Sequence, residues 1–106
     1  MKIEFSFQFQ KDIKKLKKRF PKLKKDIEYL IELLRDNPLS GISLGENLYK
    51  IRIPNSSIPT GKSAGFRVIT YIIIDNQILL THIYSKSDKE NISINEILDI
   101  LKREFQ

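Results

Sequence analysis

The sequence has 106 residues, 41% hydrophobic and 30% charged, and its 19 Lys and Arg against 13 Asp and Glu leave a formal net charge of +6. Cysteine is absent and histidine occurs once, which excludes disulfides, thiolate catalysis, cysteine-based zinc sites and any His–His metal pair. With no apolar run of signal-peptide or membrane-span length, the chain reads as one cytoplasmic domain over 1–106, with an anionic partner and no membrane or cofactor requirement.

Ile3, Phe5, Phe7 and Phe9 alternate with Glu4, Ser6 and Gln8, which predicts a half-buried first strand. Phe9, Ile13, Leu16 and Phe20 then recur at helical spacing, with the lysines between them on the outer face, and Pro21 divides this helix from the next. Leu23, Ile27, Leu30, Ile31 and Leu34 mark the buried stripe of a second helix, closed by Asn37-Pro38. The two helices form a hairpin laid on a sheet. Pro38 to Asn47, with Gly41 and Gly45, reads as a loop. Leu48 to Ile53 is a strand with Lys50 and Arg52 on one face and Ile51 and Ile53 on the other. A turn-rich stretch leads to Phe66–Ile74, apolar on both faces except at Arg67 and Thr70 and hence a central strand. Asp75-Asn76 is a turn signal, and Gln77 to Tyr84 returns as the other arm of a hairpin. Ser93-Ile-Asn-Glu96 fits a capping box, with Ile92 and Ile97 as its hydrophobic staple and Ile97, Leu98, Leu101 and Phe105 as the buried stripe of a last helix. The element order is β-α-α-β-β-β-α.

The charge is concentrated. Residues 11 to 25 carry nine basic side chains and one acid, among them Lys14, Lys15, Lys17, Lys18, Lys22 and Lys25. Residues 49 to 89 carry six basic side chains and two acids, and the remainder of the chain is net acidic. The first basic region is a solvated face or a polyanion-docking surface. Within the second, Arg67 demands a reason, because a guanidinium in an apolar central strand is costly unless it is paired or faces a polar cleft. Either it bridges to Glu46, Asp75 or another acid, or it belongs to a site. Strand parity places Arg67 with Ile69 and Tyr71, and His82 with Tyr84. If those faces coincide with that of Lys50 and Arg52, the sheet presents a basic patch suited to a phosphodiester. Lys86 and Lys89 follow at the end of the last strand, in a loop whose charges could equally pair with Asp88. His82, alone and mid-strand, reads as a hydrogen-bonded structural histidine. Gly61-Lys62-Ser63 matches only the end of a phosphate-binding loop, since Ser56 stands where the earlier glycine is required; nucleotide binding is rejected.

Together the element order, Tyr49-Lys-Ile-Arg-Ile53, Gly61-Lys-Ser-Ala-Gly-Phe-Arg-Val-Ile69 and Ile83-Tyr-Ser-Lys-Ser-Asp-Lys-Glu-Asn-Ile92 resemble the RelE/HigB group of toxins from bacterial toxin–antitoxin modules, over nearly the whole chain. The resemblance implies an α+β RelE-like fold, with a mostly antiparallel four-stranded sheet, the helical hairpin on one face and a C-terminal helix. It also implies a metal-independent endoribonuclease that cleaves messenger RNA in the ribosomal A site, inhibits translation and is held inactive by a cognate antitoxin protein. On this sequence the implied set is Lys50 and Arg52 as base or charge stabilisers, Arg67 as the phosphate clamp, and Tyr84, Lys86 and Lys89 for stacking, proton donation or backbone contact. Lys14, Lys15, Lys17, Lys18, Lys22, Lys25 and Lys62 would meet ribosomal RNA. The sequence departs from the pattern in having no aromatic residue between Asn91 and Glu104 to stack on substrate. Two other functions fit a basic protein of this kind: a ParE-like toxin that binds DNA gyrase, and a non-catalytic RNA-binding or degenerate toxin module.

Overall fold

Ser6 ends the first strand earlier than the alternation of apolar residues predicts. In the computed structural model, which describes residues 1–59, 64–74 and 76–106, β1 is Lys2–Phe5 and α1 is Phe7–Leu16. The Ser6 hydroxyl accepts from the Phe9 backbone N–H at 2.9 Å and donates to the Thr81 carbonyl at 2.7 Å, capping the helix and tying it to the sheet. Phe7 and Phe9 are therefore helical. Phe9 is fully buried, whereas Phe7 is 65% exposed. The helix is also shorter than expected: it stops at Leu16, and Lys17 to Lys22 form the turn into α2, Leu23–Asp36, with Phe20 still buried in the core. The start of α2 is anchored from outside. Buried Asp26 accepts from the backbone N–H and hydroxyl of Ser56, and the Lys22 N–H donates to Ser57 Oγ at 2.9 Å.

The predicted loop after α2 contains a further strand. β2 (Ile42–Gly45) pairs antiparallel with β3 (Leu48–Ile53), joined by Glu46 and Asn47, both in left-handed conformation with φ of 53° and 61°. Two consecutive positive-φ residues make the primed type of hairpin turn, whose twist matches that of the strands. Gly41, at φ 98°, lies so close to the Lys50 carbonyl that a Cβ would come within 2.3 Å of it. β4 (Phe66–Ile74) and β5 (Gln77–Ser85) complete a five-stranded sheet, not a four-stranded one, in the order β1-β5-β4-β3-β2, with β1 parallel to β5 and every other pair antiparallel. Asn76 turns this hairpin at φ 63°; Asp75 lies outside the described residues.

Each face of the sheet has its own core. On one, Phe9, Leu16, Leu23, Leu30 and Leu34 of the helical hairpin pack on Ile51, Ile53, Phe66, Val68, Ile78, Leu80 and Ile83. On the other, Ile97 and Leu101 of α3 (Ile94–Glu104) cover Leu48, Ile69 and Leu79, with Ile92 beside them. The Ser93–Glu96 capping box forms as predicted. The buried stripe of α3 is Ile97, Ile100 and Leu101; Leu98 is exposed, and Phe105, just past the helix, is largely exposed with its ring 6.2 Å from that of Tyr71. Burying such surfaces at about 25 cal/mol per Å² is the main source of stability. The fold is α+β, as the sequence predicts.

Candidate nucleic-acid site

Strand register brings the predicted basic residues into rows. Arg52 on β3, Arg67 on β4 and Tyr84 on β5 stand directly across from one another, and the neighbouring row is Lys50, Ile69 and His82. A bulge between Ile69 and Thr70 lets the far end of β5 pack Leu79 against α3 while His82 and Tyr84 still face the same side. This is the α3-facing side, and the segment leading into α3 lies beside the two rows through Lys86, Lys89, Glu90 and Asn91.

Arg67 is 3% exposed. Burial, then the positive charge of Arg52, push its pKa down from the ordinary arginine value, while Tyr84 and Glu90 oppose the shift. Like charges opposed across a strand pair repel, so the pairing of Arg52 with Arg67 is favourable only with negative charge nearby. Glu90 supplies part of that. Glu46 does not: it sits in the β2–β3 turn, at the opposite end of β3 from Arg52, and Asp75 is outside the described residues. Lys50, Arg52, Arg67 and Lys86 line a cleft of about 190 Å³, closed on the loop side by Glu90 and Asn91. Lys50 Nζ donates to Asn91 Oδ1 at 3.2 Å, and the Lys86 N–H donates to the Gly65 carbonyl at 3.1 Å, which holds the start of the loop on the sheet.

Tyr84 and Lys89 belong to an adjoining cavity of about 270 Å³, shared with Asp12, Lys15, His82 and Asp88. The Tyr84 ring is buried, and Lys89 Nζ lies 5.7 Å from its centroid and 3.2 Å from Glu96 Oε2. The ring is thus no open stacking platform. Burial raises the Tyr84 pKa above its ordinary value near 10, and the hydroxyl has no hydrogen-bond partner of ordinary geometry among the described residues. The alternative reading, Asp88 paired with Lys86 or Lys89, gives way to a distant partner: Asp88 accepts from Arg19 Nη1 at 2.6 Å, fastening the loop to the α1–α2 turn. His82 is hydrogen-bonded, as predicted, but to a partner that sequence reading misses: its Nδ1 is 2.7 Å from Asp12 Oδ2, across 70 residues of chain. The only sequence signal for that pair is Asp12 itself, the one acid in the lysine-rich stretch.

Lys14, Lys15, Lys17, Lys18, Lys22 and Lys25 are all exposed along the end of α1, the turn and the start of α2. Lys62, with Gly61 and Ser63, lies outside the described residues. Among the described residues no cluster of His, Cys, Asp and Glu could hold a metal ion, and no helix is long and apolar enough to cross a membrane.

The protein thus gathers a buried arginine and three further cations, Lys50, Arg52 and Lys86, around one small cleft. The family model described as "RelE toxin of RelE / RelB toxin-antitoxin system" matches residues 8–103. The chain belongs to that family: it is a RelE-like toxin of a toxin–antitoxin module, with a cognate antitoxin as its partner. No curated protein matches the chain.

Proposed function

We propose that this toxin is a ribosome-dependent endoribonuclease that cleaves messenger RNA in the A site and so inhibits translation. The observation that carries this reading is the cleft lined by Lys50, Arg52, Arg67 and Lys86, with Arg67 buried at its base. Two guanidiniums side by side, flanked by two lysines, suit a phosphodiester, which arginine grips in bidentate fashion. In the reaction the ribose 2′-hydroxyl attacks the adjacent phosphorus, the P–O5′ bond breaks, and the products are a 2′,3′-cyclic phosphate and a 5′-hydroxyl. The phosphate oxygens gain negative charge in the transition state, where preorganised cations are worth most. Arg67 and Arg52 clamp those oxygens, Lys50 and Lys86 add charge on either side, and Lys89 and Tyr84 border the next nucleotide. The exposed lysines from Lys14 to Lys25 dock on ribosomal RNA.

The test is induction in a bacterium with transcript ends mapped, for the wild type, Arg67→Ala and Lys50→Ala/Arg52→Ala. Growth arrest with codon-phased cleavage that vanishes in both folded variants is the expected outcome. Arrest with DNA breaks and intact transcripts would instead identify a gyrase-binding toxin. No effect from folded protein would identify a non-catalytic module.

A further inference from the structure

His82 is the chain's one histidine, and its side chain is about nine-tenths buried on the same side of β5 as Tyr84, the two rings 5.4 Å apart. Asp12 Oδ2, besides facing Nδ1 at 2.7 Å, accepts from the Ile83 N–H at 3.1 Å, and Asp12 Oδ1 accepts from Gln8 Nε2 at 2.9 Å. A carboxylate engaged in this way only accepts, so Nδ1 carries a hydrogen and, in the neutral ring, the lone pair is on Nε2. That nitrogen has no hydrogen-bond partner among the described residues. A histidine serving only the fold would be expected to satisfy both nitrogens.

Two cavities, of about 270 and 230 Å³, share His82 and Lys89 in their linings, and the Lys89 side chain is held by Glu96. The Lys89–Glu96 pair is partly exposed, with both side chains a third or more accessible, and such pairs are weak. A phosphate entering beside Tyr84 offers Lys89 a better anion.

The geometry points to His82 as the proton-accepting group of the site, oriented by Asp12 and covered by Lys89 until a substrate phosphate draws that lysine off Glu96. This rests on the ribonuclease reading above and names its base. His82 lies one row from the Arg52–Arg67–Tyr84 line, so a phosphate on Arg67 brings the neighbouring ribose toward it. Nε2 takes the proton of the 2′-hydroxyl as the O2′–P bond forms and the P–O5′ bond breaks. O5′ leaves with a proton from solvent, to which His82 returns its own, and no oxidant or metal enters the balance. Asp12 is a positioning residue.

Single-turnover cleavage of ribosome-bound messenger RNA by the wild type, His82→Asn and Asp12→Asn tests this. Asparagine at 82 can still donate to Asp12 but has nothing in place of Nε2. The cleavage rate should fall at least 100-fold in His82→Asn and at least tenfold in Asp12→Asn, on the scale of general base catalysis, with ribosome affinity within about threefold of wild type. ¹⁵N spectra of the single imidazole should show the Nδ1–H form in the wild type and a mixture in Asp12→Asn. Acylation of His82 by diethyl pyrocarbonate should be several-fold faster in Glu96→Gln. A His82→Asn protein that cleaves within about threefold of wild type overturns the proposal and leaves the ribonuclease reading intact; a wild type that cleaves no RNA overturns both. Should His82→Asn not fold, an Nε2–H signal in the wild-type spectrum overturns the assignment of the base.

Discussion

Burial and the neighbouring Arg52 act against the charge of Arg67, whereas Tyr84 and Glu90 favour it; removing one member of a buried charged set leaves the others uncompensated, which typically costs about 3–5 kcal/mol. Arg67→Met is therefore expected to unfold at a lower urea concentration than wild type as well as losing RNA cleavage; an unchanged or higher midpoint would mean that the arginine's burial outweighs its partners. Tyr84 makes a second prediction. Its neutral form is the one that the folded state favours, since burial lifts its pKa. That preference is fully present below about pH 10, where the unfolded tyrosine is still protonated, and is lost as pH rises from there through the higher folded value. Stability measured by denaturation should fall above about pH 10 in the wild type, and fall less in Tyr84→Phe.

At the scale of the element, helix caps and strand pairing competed with periodicity. The apolar alternation from Ile3 to Phe9 could not decide where the first strand ends, because Phe9 satisfies both a period of two and the helical stripe; the Ser6 cap, with bonds to Phe9 N–H and Thr81 C=O, decided it. Ser6→Ala should lower unfolding free energy by about 1–2 kcal/mol, read from urea curves with an unchanged slope. β2 was not legible for a different reason. It is a four-residue edge strand whose register depends on main-chain bonds to β3 and on the Glu46-Asn47 turn, neither of which leaves an apolar pattern. Gly41→Ala, which sets a methyl against the Lys50 carbonyl in left-handed backbone, should destabilise the protein and increase hydrogen exchange in Ile42–Gly45 before other strands. The last helix, by contrast, was legible at its start, because a capping box is a local device.

Over the whole molecule, the lysines are kept out of the core, which holds the charges of Asp26 and Arg67. The lysines from Lys14 to Lys25 ring the α1–α2 turn, and Arg19 carries that turn to Asp88 beside the candidate site. An exposed pair of this kind contributes about 1 kcal/mol or less, so its main effect is to hold the loop near the lysine-rich turn. Replacing Lys14, Lys15, Lys17 and Lys18 with glutamine should weaken ribosome binding and flatten its dependence on salt, by roughly 0.7–0.9 in the log–log slope per lost phosphate contact. The bond cleaved should stay the same. Loss of cleavage at saturating ribosome would place those lysines in the reaction instead.

The sequence by itself determined the α+β class, the central strand, both buried helical stripes and the identity of the basic residues, because each of these is written in local periodicity or in charges that a core cannot hold. It carried the family resemblance too, in two motifs at the ends of neighbouring strands. Only the tertiary structure decided that Arg52, Arg67 and Tyr84 form one row, that Tyr84 is covered rather than offered, and that Asp12 orients His82. Those facts depend on the register between strands and on the packing of α1 across the open end of β5, contacts between residues far apart in the chain whose partners no spacing along it specifies.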